Sequence, residues 1–136
     1  MFIIKKNSIM IYKRKYQSAG SAMDKKVVFI DGMATAKDAV NLMRKEKVNA
    51  LIVNKRDETD AFGIVTLKDL INGVIIPDRT SEEVNVYEIM TKPVISVPAG
   101  MDVRYVARLL MKTGLRIAPV EDKGTYTGMI SLTTII

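Results

Sequence analysis

The chain has 136 residues, carries 21 Lys and Arg against 15 Asp and Glu, and contains no His, Cys or Trp. That length suits one compact unit, in which about 70% of the unfolded surface can be buried. Without Cys or His there is no disulfide framework, thiolate nucleophile, imidazole base or usual transition-metal site, so most hydrolytic and metal chemistry is excluded at the outset.

Read from the amino terminus, residues 1–26 hold seven cations, from Lys5 to Lys26, against Asp24 alone, while the other 110 residues carry 14 cations and 14 acids. The net charge of +6 therefore belongs to the leading segment, and the pI near 9.6 describes a basic arm on a neutral body. Ser18-Ala-Gly20-Ser-Ala22 reads as a flexible linker behind that arm. No apolar run reaches the ~18–20 residues of a bilayer span, and Met1-Phe2-Ile3-Ile4 is too short for a signal-peptide core, so a cytoplasmic protein without membrane contact is expected.

Val27 to Ile30 is a short β-prone run followed by a turn at Gly32. Ala36, Ala39, Val40, Leu42 and Met43 then fall at helical spacing, and Ala50-Leu-Ile-Val53 has strand length. After the charged loop 54–60 come a third strand, Phe62 to Val65, and a helix starting at Leu67; residues 75–85 read as a polar linker. The same order then recurs. Val94 to Val97 is β-prone; Val103, Val106, Ala107, Leu110 and Met111 share one helical face; Ile117-Ala-Pro-Val120 and Tyr126 to Ile130 are strands. A last helix starts at Leu132 and is cut short by the chain end, which suggests a fragment of something longer.

The recurrence extends to residue identity. Met23 to Asp31 aligns with Met90 to Pro98; with Ala99 taken as one extra residue, an offset of 68 then pairs Gly32-Met33 with Gly100-Met101, Leu42-Met43 with Leu110-Met111 and Ala50 with Ala118. A shorter second loop brings Gly63-Ile-Val-Thr-Leu67 against Gly128-Met-Ile-Ser-Leu132. The expected fold is α/β (α+β): a basic arm and linker at 1–22, β-α-β-β-α repeats at 23–74 and 86–136, and the linker 75–85 between them. On their helical faces Met43 and Met111 read as core gap fillers.

Ile89-Met-Thr-Lys-Pro-Val-Ile-Ser-Val-Pro98, Ala107-x-x-Leu-Met111, Ala118-Pro-Val120 and above all Gly63-Ile-Val-Thr66-Leu-Lys-Asp69-Leu-Ile71 resemble a tandem pair of cystathionine β-synthase (CBS) domains, the Bateman module, from about residue 23 to the last. The resemblance implies two repeats packed about a pseudo-two-fold axis and a regulatory binding module without enzymatic turnover. It implies an adenosyl ligand (AMP, ADP, ATP or S-adenosylmethionine) in a cleft between the repeats, with no other cofactor. By resemblance, Asp69 would accept from both ribose hydroxyls, Thr66 would donate to a phosphate, and the backbone of Val28, Phe29 and Ile30 would border the base, with Gly63 and Pro119 beside it. Arg116 would face phosphate across the cleft. The other half keeps Ser131 beside Val97, but it has Thr134 where the acid belongs and Val48 where Arg116 would have its counterpart, so one working and one degenerate site are expected.

Each of these features also has a plainer reading. Thr66-x-x-Asp69 matches a helix capping box, which needs no ligand. Arg116 reads equally well as a solvated charge, and the loop Lys55-Arg-Asp-Glu-Thr-Asp60 reads as a solvated turn rather than a calcium loop. The alternative function is a structural dimerisation or tethering module with a vestigial cleft, whose basic arm, residues 1–22, contacts nucleic acid or another acidic surface. Under either function a homodimer and an unidentified effector protein or domain are expected.

Overall fold

The computed structural model describes residues 16–136, so the first 15 residues of the expected basic arm lie outside it. In chain order the elements are a short helix α1 (Ala19–Ala22), β1 (Phe29–Ile30), α2 (Ala36–Glu46), β2 (Ala50–Val53), β3 (Gly63–Thr66) and α3 (Leu67–Leu70), which continues as a wider π turn over Ile71–Ile75. After a 3-10 turn at Ser81–Glu83 follow α4 (Val86–Ile89), β4 (Val97–Pro98), α5 (Val103–Thr113), β5 (Ile117–Asp122), β6 (Thr125–Ser131) and α6 (Leu132–Ile135). Two three-stranded sheets result, ordered β1-β2-β3 and β4-β5-β6, each with one parallel and one antiparallel pairing. This is the mixed α/β fold of two equivalent repeats that the sequence predicts.

Local chemistry explains where the helices start. Thr35 and Asp38 close a capping box on α2, and Lys47, in the left-handed region at φ 58°, ends that helix. Asp102 caps α5, and Gly114, at φ 74°, ends it.

Both sheets are buried on both faces. Leu51, Val53 and Val65 face α2 in one core with Ile30, Ala39 and Met43; Ala118, Val120 and Ile130 face α5 in another with Val97, Val106 and Leu110. The alternate residues Ala50, Ile52 and Ile64 meet Met129, Ile117 and Tyr126 in a third cluster that joins the repeats face to face.

The structure corrects the repeat register. Helices α2 and α5 are each 11 residues long and 67 apart, and Ala36, Ala39 and Met43 are buried just as Val103, Val106 and Leu110 are. The Ile30–Val53 and Val97–Val120 pairs keep the same offset. Ala99 is therefore no insertion. Leu110 is the counterpart of Met43, and Met111 turns 70% exposed to solvent because it falls one residue, about 100° of helix, past the core stripe.

The repeat also begins earlier than Met23. Ser18-Ala-Gly-Ser-Ala22 is not a flexible linker: Ser18 caps α1, Ala19 is fully buried, and the N–H groups of Ala19 and Gly20 donate to Met101 and Ala99. Its counterpart 67 residues on is Asn85 with α4. Each short helix packs on the other repeat: α1 in the core of β4–β6, and α4, with Val84 and Val86, in the core of β1–β3. The segment after each helix is stitched to the edge strand of that other repeat, Asp24 to Met129 and Thr91 to Ile64, each by two backbone hydrogen bonds of 2.8–2.9 Å. Two straps are thus exchanged about the pseudo-two-fold.

Candidate functional site

Thr66 ends β3 and starts α3, level with Ala50 of β2. Its N–H donates to Asp69 Oδ2 at 2.9 Å, its hydroxyl lies 3.1 Å from the same oxygen, and Asp69 N–H donates back to the hydroxyl at 3.3 Å. The capping box is therefore real. Identical T-x-x-D chemistry caps α2 at Thr35 and Asp38, where both groups are exposed. The turn at Thr66 differs in being half-buried under a strap, whose Thr91 hydroxyl donates to the second oxygen of Asp69, Oδ1, at 3.5 Å. Oδ2 is committed to the cap, while Oδ1 holds one long contact and keeps accepting capacity at the seam between the repeats.

The other sequence-predicted residues divide. Phe29 and Ile30 lie level with Ile64 and Gly63, two to three residues along the sheet from Thr66, or roughly 7–10 Å at the strand rise. Val28 is half-buried, and its carbonyl accepts from Ile52 N–H. Ile30 and Val97 point into the cores of their own repeats. Gly63 is buried under the strap: a Cβ there would stand 2.9 Å from Met90 Sδ and 3.2 Å from the Thr91 carbonyl, so the absence of a side chain is what lets the strap lie down. Pro119 is buried on β5 opposite Met129, in the position of Ile52.

Arg116 stands at the start of its own repeat's last helix, where its carbonyl accepts from Leu132 N–H. The equivalent bond in the first repeat runs from Leu67 N–H to Asn49, so the counterpart of Arg116 is Asn49 and not Val48. Ser131 and Thr134 form the matching turn there. Ser131 N–H donates to Thr134 Oγ1 at 2.8 Å, and Thr134 N–H donates to the Ser131 hydroxyl. The structure thus groups Thr66 with Asp69 and Thr91, and Arg116 with Ser131 and Thr134.

Sequence reasoning missed two things. Thr91 became visible only once the strap was placed. The loop 54–60 is not uniformly solvated: Asp60, with its side chain 8% exposed, pairs with Lys92 Nζ at 2.7 Å and Arg56 Nε at 3.1 Å. Hydrogen bonds from the Arg56 side chain first, then from Lys92, hold its carboxyl well below the usual carboxylate range. Beside it, Phe62 joins Phe29 and Tyr126 across the seam at ring separations of 6.1 and 5.2 Å, and burial raises the Tyr126 phenol above its ordinary value.

The comparisons with known proteins agree with this architecture. The CBS-domain family model matches twice, at residues 19–75 and 86–136. The chain is 31% identical over 121 residues to an uncharacterised protein of Methanopyrus kandleri and 32% identical over 124 to the mitochondrial CBS domain-containing protein CBSX3 of Arabidopsis thaliana, each match covering 88% of this chain. It spans about 60% of the length of those relatives. Among solved structures, the hexameric CBS-CP12 protein from bloom-forming cyanobacteria is 42% identical with a TM-score of 0.84, covering 88% of this chain and 69% of that one. A CBS domain pair solved with 5′-methylthioadenosine and S-adenosylmethionine shares the fold at 21% identity and a TM-score of 0.74, covering 89% of this chain and 94% of that one. The chain belongs to the CBS-domain family, as a tandem pair. Among the described residues no helix is long and apolar enough to cross a membrane.

Proposed function

We propose that this CBS pair is a regulatory module that binds an adenosyl ligand with its ribose on Asp69, and that it acts by binding rather than by turnover. The observation that carries the reading is the asymmetry of the two carboxylate oxygens of Asp69: one is spent on the cap, and the other is available at the seam, partly buried and 3.5 Å from Thr91. A ribose diol offers two hydroxyl donors and is matched by a fixed carboxylate acceptor. The related fold solved with methylthioadenosine and S-adenosylmethionine supports adenosyl ligands as the class. Such a ligand touches both Asp69 of one repeat and the strap of the other, so it changes their relative stability by its differential affinity, which is all that signalling to an effector requires. Self-association, as a dimer or in a larger ring like the hexameric relative, belongs to the same reading.

Calorimetric titration with AMP, ADP, ATP and S-adenosylmethionine, repeated on Asp69→Asn, tests it. A ligand at 100 times its Kd should stabilise the wild type by about 2.7 kcal/mol, and the variant should lose most of that gain while keeping its ligand-free stability to within about 1 kcal/mol. A variant that binds as well as the wild type overturns the assignment, leaving Asp69 as a cap.

A further inference from the structure

With the register corrected, the two strap–turn junctions contain the same groups in exchanged positions. In the first, the turn supplies the acid, Asp69, and the strap supplies the hydroxyl, Thr91. In the second, the turn supplies the hydroxyl, Thr134, and the strap supplies the acid: Asp24 lies 67 residues before Thr91 and bridges Met129 as Thr91 bridges Ile64. The second junction therefore has a carboxylate, one that a comparison of turn with turn overlooks. It also has a guanidinium. Arg116 is exposed, and among the described residues its side chain has no ion-pair partner, whereas Asn49 takes its place in the first junction. The cation nearest along the chain to the Asp69 turn is Lys68, at the place of Thr133.

Asp24 and Arg116 flank the end of β6 from opposite sides. Asp24 is bonded to Met129 on one edge, and on the other Arg116 precedes Ile117, the register partner of Ser131. Two strand spacings separate them, about 10 Å between backbones. Side chains reaching inward over that span leave the distance between a ribose diol and its 5′-phosphate. Asp24 Oδ1 accepts from Lys26 N–H at 3.0 Å, which fixes the carboxylate and leaves Oδ2 to accept. Arg116 offers the planar fork that suits phosphate bidentately.

We propose that the second half of the chain holds its own site for a phosphorylated nucleoside, with Asp24 of the strap accepting from the ribose and Arg116 and Ser131 taking the phosphate. The site rests on the adenosyl reading above but differs from the Asp69 site in requiring the phosphate. The two sites are then unlike: adenosine suffices at Asp69, and the junction of Asp24 and Arg116 discriminates in favour of AMP.

Calorimetry of the whole chain with adenosine and with AMP decides it, using Asp24→Asn, Arg116→Gln and Asp69→Asn. Asparagine keeps the acceptor for Lys26 N–H and Arg116 is exposed, so thermal melts should show both variants folded. The wild type should bind one adenosine and two AMP. Asp24→Asn and Arg116→Gln should each weaken one AMP tenfold or more and leave adenosine unchanged, while Asp69→Asn should remove adenosine and leave one AMP. If AMP saturates at one equivalent lost only in Asp69→Asn, the second site is wrong and the adenosyl reading stands. If Arg116→Gln and Asp69→Asn remove the same single AMP, Arg116 serves the Asp69 ligand across the cleft and the second site falls. If neither compound binds, both readings fall.

Discussion

Among single residues, Asp60 is the one whose environment makes the sharpest demand. Its carboxylate is shielded in a loop of the first repeat and bound to Arg56 and to Lys92, which rides on the strap from the second. Its folded-state pKa is depressed, chiefly by the Arg56 side chain and then by Lys92. The stabilisation it brings is therefore fully present above the unfolded aspartate value, about 3.9, and is lost as pH falls through the folded value. Asp60→Asn should lower the melting temperature at pH 7 and should flatten the acid side of the stability curve, so that variant and wild type converge toward pH 2. A thermal-melt series from pH 7 to 2 checks this; a constant gap between the two curves would mean that the ion cluster contributes nothing through its charge. The sequence offered no hint of this pairing, because 32 residues separate Asp60 from Lys92 and only the strap brings them together.

At the scale of elements, the straps decide which glycines matter. Gly63 and Gly128 are equivalent, and each lies where a strap crosses an edge strand. A Cβ on Gly128 would stand 2.6 Å from the Asp24 carbonyl, an atom fixed by its bond to Met129 N–H. At Gly63 the nearest atom is the Sδ of Met90, 2.9 Å away at the end of a flexible side chain. Alanine should therefore cost more at 128 than at 63, in the range of roughly 1–3 kcal/mol expected for overpacking, and urea denaturation of the two variants measures the difference. Equal costs would show that the strap yields easily. Both glycines were legible in the sequence as the heads of the Gly-Ile-Val-Thr and Gly-Met-Ile-Ser repeats, and the strands and long helices were legible from their periods. What was not legible was the exact register. Chance identities such as Gly32 with Gly100 favoured an offset of 68, and only the burial of Ala36, Ala39 and Met43 against Val103, Val106 and Leu110 separates 67 from 68. The short helices α1 and α4 escaped as well, because four residues are too few to display a period and small residues such as Ala19 and Gly20 mimic a linker.

For the whole molecule, exchange of α1 and α4 means that neither repeat owns a complete core. The first sheet needs Val84, Val86 and Ile89, all of which follow the connection 75–85, and the second needs Ala19, Ala22 and Met23 from the start of the chain. Cutting the chain within the connection, after Arg79, divides the protein into pieces that each lack one capping helix and expose the shared Ala50–Ile52–Ile64–Met129 face. A half-sized core of this kind lies near the lower limit for independent folding. Residues 1–79 and 80–136 expressed separately should therefore show non-cooperative melts and weak near-ultraviolet dichroism. Mixed at equal concentration they should recover a cooperative, concentration-dependent transition, because α1 then finds the second sheet and α4 the first. The same mixture should regain any adenosyl binding the intact chain has, since Asp69 and Thr91 come from different pieces. Cooperative unfolding of either piece alone would show that the exchanged helices decorate two self-sufficient domains, and communication between the repeats would then have to pass through the sheet-to-sheet seam rather than the straps.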